Sequence, residues 1–280
     1  MRRNNDTENI KIIESAEPSS SRIHYLKQVR RHKLMIRICQ ISILVITIAL
    51  WEFLAVIGFI DSFIMSQPTR ILRTVLNFRN NNLLLHIGIT SLETIIGFLA
   101  GAMLGIIIAM ILWWSNFLAK VADPYLVVIN ALPKIALGPV IIIWVGAGMQ
   151  AVIVMALAIS LVVTIMEMLN GFKNTDPELI KMAKTLGARR VQTFVKIVFP
   201  SNLPTLFSCL KINIGLSLVG VIAGEFLVSR AGLGYLIIYG GQVFQMDLVM
   251  TSVIILAGLA AVLYRVVALV ERIVMKIVQS

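Results

Sequence analysis

The residues able to do chemistry are few, and most of them stand inside long apolar runs. Glu225 lies in the stretch AGEF near the end of one run, and Glu93 lies one turn before Gly97 in another. A charge inside a bilayer is costly, so it takes a partner or a water-lined position. Glu225 therefore reads in two ways: a pathway or gate residue, or a structural hydrogen-bonding group facing a neighbouring helix or the glycine-rich loop that follows. Glu93 reads as structural and nearer the surface. Glu52, Glu167, Lys211 and Arg265 sit near the ends of runs or within snorkelling reach and read as structural too. No reaction centre assembles from the rest. The chain has no G-x-x-x-x-G-K-[ST] phosphate loop, so it is not itself an ATPase. His24, His32 and His86 are scattered, and no His/Cys/Asp/Glu group has metal-ligand spacing. No nucleophile stands with a base. The expectation is a non-enzyme with no cofactor or metal in this chain.

A second kind of chemistry, docking, is written in the polar stretch from Asp176 to Pro204, DPELIKMAKTLGARRVQTFVKIVFPSNLP. Asp176 can cap a helix and Pro177 fits its first turn. Leu179, Met182, Ala183 and Leu186 recur at i, i+3, i+4 and i+7 and form one apolar face. Gly187 follows where a helix end wants a residue that tolerates positive φ. Val191, Phe194, Val195 and Val198 repeat the spacing, with Arg189, Arg190, Gln192 and Lys196 on the polar side. Pro200 is expected to stop this second helix. Two short amphipathic helices around a glycine hinge are too short to span a bilayer. They serve either as an interfacial anchor or as a docking element.

The elements that position these groups are membrane helices. Hydrophobic residues make up 58% of the chain and charged residues 14%, against about 25% charge in soluble domains. The mean hydropathy is +0.90. The formal net charge is +11, but the basic residues flank apolar runs, which suits the positive-inside rule rather than nucleic acid. Cys39 and Cys209 lie in or beside spans, so no disulfide is expected. Six spans are expected, at about 36–60, 86–114, 135–145, 151–169, 206–228 and 248–273. The third is short and lies in a region broken by Pro124, Pro133, Gly138 and Pro139. Residues 1–35 read as a cytoplasmic tail, as tail or frayed helix with a loop-like Pro18 to Ser21, and 36–280 as one helical membrane domain. Gly97, Gly101 and Gly105, continued by Ala109, stand at four-residue spacing and predict a close helix seam, either beside a pathway or as ordinary packing. Arg70, Arg73, Arg79 and Arg230 are the only basic residues of the two longer loops opposite the tail. That asymmetry puts both termini and the amphipathic pair in the cytoplasm.

The amphipathic stretch carries a resemblance. Ala183, Gly187, Ile197 and Pro200 stand at the spacing of the cytoplasmic EAA loop of ABC-importer membrane subunits. Lys181, Met182 and Phe199 depart from the pattern, standing where Glu, Ala and Leu are expected. GPVIIIWVGAG before the loop and AGEFLVSRAGLGYLI after it are similar to permeases of the nitrate/sulfonate/taurine importer type. The likeness covers roughly Leu83 to Lys276, with the coupling loop at 176–204.

The resemblance implies an all-α permease of the type I ABC importer kind, with six transmembrane helices and a cytoplasmic coupling-helix pair, in a bacterial inner membrane. It implies that Lys181, Met182, Ala183, Leu186, Gly187 and Ala188 couple to a separate ATP-binding-cassette subunit, which holds the ATP. It also implies a second permease subunit, as a homodimer, and an extracytoplasmic solute-binding protein. Glu225 and Gly101 are its candidate pathway or gate residues. Look-alike permeases handle nitrate, sulfonates, taurine and thiamine-precursor pyrimidines. The competing readings are a secondary transporter or channel that needs no ATPase, and a membrane-embedded enzyme, which the lack of a convergent polar site disfavours.

Overall fold

The computed structural model describes residues 20–76 and 82–279, so most of the expected tail and Arg79 lie outside the described residues. Among the described residues every regular element is a helix. The first, α1 (Ser20–Val56), runs unbroken from the basic stretch into the apolar run. Ser20 and Ser21 therefore belong to a helix, the second of the two forms the sequence allowed for this stretch. Pro18 is the last helix breaker before them, and nothing from Ser19 to Val56 is Gly or Pro. The described residues up to Ser62 form one compact unit and those from Phe63 on a second.

The second unit holds α2 (Pro68–Leu76), α3 (Leu83–Trp114), α4 (Asn116–Ala131), α5 (Gly138–Val145), α6 (Met149–Lys173), α7 (Pro177–Thr185), α8 (Leu203–Val228), α9 (Leu233–Gln242) and α10 (Met246–Gln279). In the whole described chain, α1, α3, α6, α8 and α10 are long and apolar enough to cross a membrane. A sixth crossing comes from α4 together with residues 134–145, bent by 86° at the break between them. The sequence put this span at about 135–145; the helix α4 extends it back to Asn116, and the break falls at Pro133, one of the four breakers that the sequence offered. Pro124 lies inside α4 without ending it, as membrane helices tolerate. The chain turns at Leu132, whose ψ of 137° is the extended conformation that the following Pro133 imposes.

Register shows how the long helices pair. A Cβ added at Gly97, Gly101 or Gly105 of α3 would meet Ala156, Ser160 or Thr164 of α6. The offset between partners is constant, so α3 and α6 run parallel. Added Cβ atoms at Gly220 and Gly224 of α8 would meet Ala156 and Val152, so α8 runs antiparallel to α6. The helix α6 is thus clasped on two sides at backbone distance, the packing that small residues allow in a membrane. Two parallel helices separated by one connection need that connection to return across the bundle. The bent segment does so and counts as one span.

A buried apolar cluster closes the end of the bundle where α3 finishes. Ala109, Met168, Leu169, Phe172, Phe194, Val198 and Cys209 form it. At mid-depth Asn213 Nδ2 donates to Thr164 Oγ1 at 2.7 Å and ties α8 to α6. Lys211 on α8 pairs with Glu271 on α10 at 3.0 Å. Asp247 at the start of α10 pairs with Arg70 of α2 at 3.1 Å and accepts from Ser66 Oγ.

Candidate functional site

The amphipathic stretch folds into a corner held against the bundle end. Asp176 Oδ1 accepts from the Glu178 N–H at 2.9 Å and caps α7, with Pro177 in the first turn. The helix ends at Gly187, whose φ is +75°. The Gly187 N–H donates to Lys184 O and the Ala188 N–H to Ala183 O, both at 3.0 Å. That pair of bonds is a Schellman cap, which needs the left-handed residue glycine supplies.

The apolar face of α7 is divided. Ala183 is buried, and the half-buried Ile180 packs on the Phe172–Phe194–Val198 cluster. Leu179, Met182 and Leu186 stand 39%, 53% and 79% exposed. The four residues expected as one face therefore split, because Ile180 and Ala183 meet the bundle and the other three point away from it. Lys181 is exposed and paired with Glu178 at 3.1 Å, Gly187 is exposed, and Ala188 is half-buried.

The second half divides the same way. Phe194 and Val198 are buried, while Val191 and Val195 are 56% and 59% exposed. Phe194 lies 5.0 Å from the Trp113 ring and 5.2 Å from Phe172, centroid to centroid. Arg190 stacks over Trp113 at 5.6 Å. Pro200 does not stop the helical run, contrary to the sequence expectation. Residues Phe194–Val198 widen into a π turn, which accommodates the N–H that Pro200 lacks, and a short helix Phe199–Ser201 leads on to α8. Asn202 then locks the corner: its Nδ2 donates to Thr175 Oγ1 and Val198 O, both at 2.8 Å.

The opposite end of the bundle holds the carboxylates. Glu225 of α8 is buried against the start of α9. Its Oε1 accepts from Thr90 Oγ1 at 2.6 Å and its Oε2 from the Gly234 N–H at 2.5 Å. Two adjacent N–H groups of the same helix start are met from α3. Leu233 N–H donates to Thr90 Oγ1 at 2.8 Å and Gly232 N–H to His86 Nδ1 at 2.9 Å. Three otherwise orphaned donors of α9 are thus satisfied by three buried side chains. Glu93 is only 1% exposed, not near the surface as the sequence suggested. A helix as long as α3 carries its interior groups far from either water face, and its first turns are covered by α8 and α9.

Gly101 lies in the α3–α6 seam, where an added Cβ would sit 2.2 Å from Ser160 Oγ. Neither Glu225 nor Gly101 lines the apolar cavity of about 660 Å³ between Ile135, Pro139, Leu218, Ile222, Phe226 and Ala257. Sequence reasoning missed His86 and Thr90. Their spacing with Glu93, at i, i+4 and i+7 of one helix, was the available signal.

Residues 101–276 match the family of binding-protein-dependent transport system inner membrane components. The chain belongs to this family. A chain of Haemophilus influenzae named as a probable ABC transporter permease protein is 30% identical over 220 residues, which is 78% of this chain and 89% of that one. The taurine transport system permease protein of Escherichia coli is 23% identical over 229 residues, 80% of this chain and 83% of that one. Among solved structures, an inward-facing MetNI methionine ABC transporter shares the fold with a TM-score of 0.62 at 19% identity, covering 69% of this chain and 95% of that one. The protein is a multi-span membrane component of a transport system, and its relatives are transport permeases.

Proposed function

We propose that the chain is the permease subunit of an ATP-driven importer and that α7 and its glycine cap transmit the work of a separate ATPase subunit. The observation that carries this reading is the exposed apolar triad Leu179, Met182 and Leu186 on a short, capped helix whose other face is seated in the bundle. An element that passes force needs one face for each partner. Ile180 and Ala183 serve the bundle, and the exposed triad serves the ATPase. Lys181, Gly187 and Ala188 complete the docking surface, with ATP bound on the partner alone. Closure of the ATPase pair would then drag α7 and the Asn202 corner and tilt α6 and α8 as rigid bodies, giving alternating access.

The remaining parts of the assembly follow from the same reading. Two copies of this chain form the membrane domain, both termini face the cytoplasm of a bacterial inner membrane, and a solute-binding protein delivers cargo from outside. The cargo is a small solute of the nitrate, sulfonate and taurine class or of the thiamine-precursor class, a choice the taurine permease relative supports. Glu225 and Gly101 act beside the pathway by holding helices, with the apolar cavity nearer to it.

The test is co-purification of the ATPase subunit with wild type and with Leu186→Asp. Leu186 is 79% exposed, so the variant should insert and fold normally. The ATPase subunit should be lost from the variant and ATP-dependent uptake with it. Uptake that persists without any ATPase subunit would replace this reading with a secondary transporter or channel.

A further inference from the structure

A second cavity, of about 410 Å³, opens at the bundle end where α9 begins. Three separate parts of the chain build its wall. Ile89 and Glu93 come from α3, Gly148 and Met149 from the turn into α6, and Ser229 and Arg230 from the loop after α8. The volume lies within the range of small-molecule sites, about 300–1,000 Å³.

Two polar side chains of this wall have unused capacity. Glu93 is 1% exposed, yet its Oε2 has no hydrogen-bond partner. A buried acceptor left unpaired is costly, so a donor arriving in the cavity is favoured. Arg230 is exposed and takes part in none of the ion pairs among the described residues. The third polar side chain is already engaged: Ser229 Oγ donates to Ala231 O and accepts from the Ala231 N–H. The start of α6 adds to the positive side. Gly148 stands at its N-cap with φ of +122° and no side-chain cap, so the first N–H groups of a 25-residue helix begin at the cavity wall.

These groups sort solutes by charge. A solute with only a negative group finds Arg230 and the start of α6, but leaves Glu93 Oε2 unpaired beside it. A solute with only a positive group can serve Glu93, but meets Arg230 and the same helix start. A small molecule with both an ammonium and an anionic group can set each against its opposite. We propose that this cavity is a solute site of the permease that takes a small zwitterion, with the ammonium on Glu93 Oε2 and the anionic group on Arg230 and the first N–H groups of α6. Met149 and Ile89 supply apolar wall for the carbon stem between the charges. The site presupposes the importer role of the chain and narrows its cargo: an amino-sulfonate fits, whereas nitrate or a plain sulfonate lacks the donor that Glu93 needs. Under the topology proposed above this end faces outside, where a solute arrives.

The test is binding of radiolabelled 2-aminoethanesulfonate (taurine) to the full-length protein in lipid nanodiscs, with no ATPase subunit and no ATP. Taurine should bind saturably. Ethanesulfonate, which lacks the ammonium, and ethylamine, which lacks the anion, should each compete about tenfold or more weakly, the loss expected for one charge-assisted hydrogen bond. Arg230→Gln should shrink the preference for taurine over ethylamine, and Glu93→Gln the preference over ethanesulfonate. A glutamate that only packs would weaken all three ligands alike. Arg230 is exposed, so its variant should fold whether or not Glu93→Gln does, and it decides the matter together with the competition series. The site is overturned by no saturable taurine binding, by equal competition from ethanesulfonate, or by an unchanged preference in Arg230→Gln. None of these outcomes touches the coupling role of α7, because no ATPase subunit is present. Loss of ATPase co-purification would likewise leave the cavity result standing.

Discussion

The two ends of the helical bundle treat their side chains in opposite ways. At the end where α9 begins, polar groups are buried: Glu225, Glu93, Thr90 and His86 are all at or below 9% exposure, and three backbone donors of α9 meet side-chain acceptors. At the end where α7 sits, large apolar side chains are exposed, and Leu179, Met182 and Leu186 touch nothing that buries them. Water should favour the reverse arrangement at both ends. Around Glu225 the buried polar groups are paired within the chain. Under the proposed function, the apolar triad exposed on the capped helix is the surface that meets the ATPase subunit.

The seam that joins the two ends gives the largest expected effect. Gly101→Leu forces a side chain into Ser160, whose Oγ already lies 2.2 Å from the position of an added Cβ. Overpacking costs about 1–3 kcal/mol for extra methylenes in a core that can shift, and two helices at backbone contact can shift little. Loss of folded protein from the membrane fraction is expected. Gly215→Leu on α8 is the matched control, since nothing lies within 4 Å of a Cβ there. Equal levels for the two variants would show that the seam does not set the helix spacing.

Glu225→Ala comes next. It leaves the Gly234 N–H and the Thr90 hydroxyl without their acceptor, at roughly 1–3 kcal/mol for each buried group left unpaired. Thermal unfolding in detergent should shift down, and exchange should rise first at the start of α9. If exchange rises instead around α7, the two ends are not energetically separate.

Gly187→Val should act at the other end and in another way. The left-handed φ of +75° costs a β-branched residue roughly 1–2 kcal/mol. Insertion and global unfolding should change little, whereas ATPase association or the coupling of hydrolysis to uptake should fall. Vesicles that transport at the wild-type rate with Val at 187 would return α7 to the role of a passive anchor.

The smallest perturbation tests the sidedness of the comparison. Single cysteines at Lys184 and Arg230, both exposed, should leave stability unchanged. An impermeant thiol reagent applied to intact cells should label position 230 and spare position 184. Labelling at 184 from outside would invert the topology.

Much of this was legible in the sequence, and the reason is periodicity. The long helices announce themselves by apolar runs, and the small-residue row Gly97–Gly101–Gly105 announces a seam. The cap of α7 was readable from Asp176, Pro177 and Gly187, because caps depend on residues within a few positions of each other. Where sequence reasoning went astray, the outcome turned on how the backbone accommodates a helix breaker and not on the breaker's residue type. Pro124 and Pro133 look alike in sequence, yet only Pro133 stands at the break. Pro200 looks like a stop, yet the π turn before it and Asn202 after it carry the helix on.

Although it read the helix α9 as a glycine-rich loop, the sequence by itself determined the long apolar helices, where α7 begins and ends, and that one glycine row lets two backbones touch. These follow from local dihedral preferences and from hydrophobic spacing, which act along the chain. Only the tertiary structure decided that Glu225 of α8 meets Thr90 of α3 in a buried cluster, and that the apolar face of α7 divides into a buried half and an exposed half. Both depend on which helix lies beside which. Helix order and register in a bundle are set by the summed packing of many side chains, and no local pattern reports that sum.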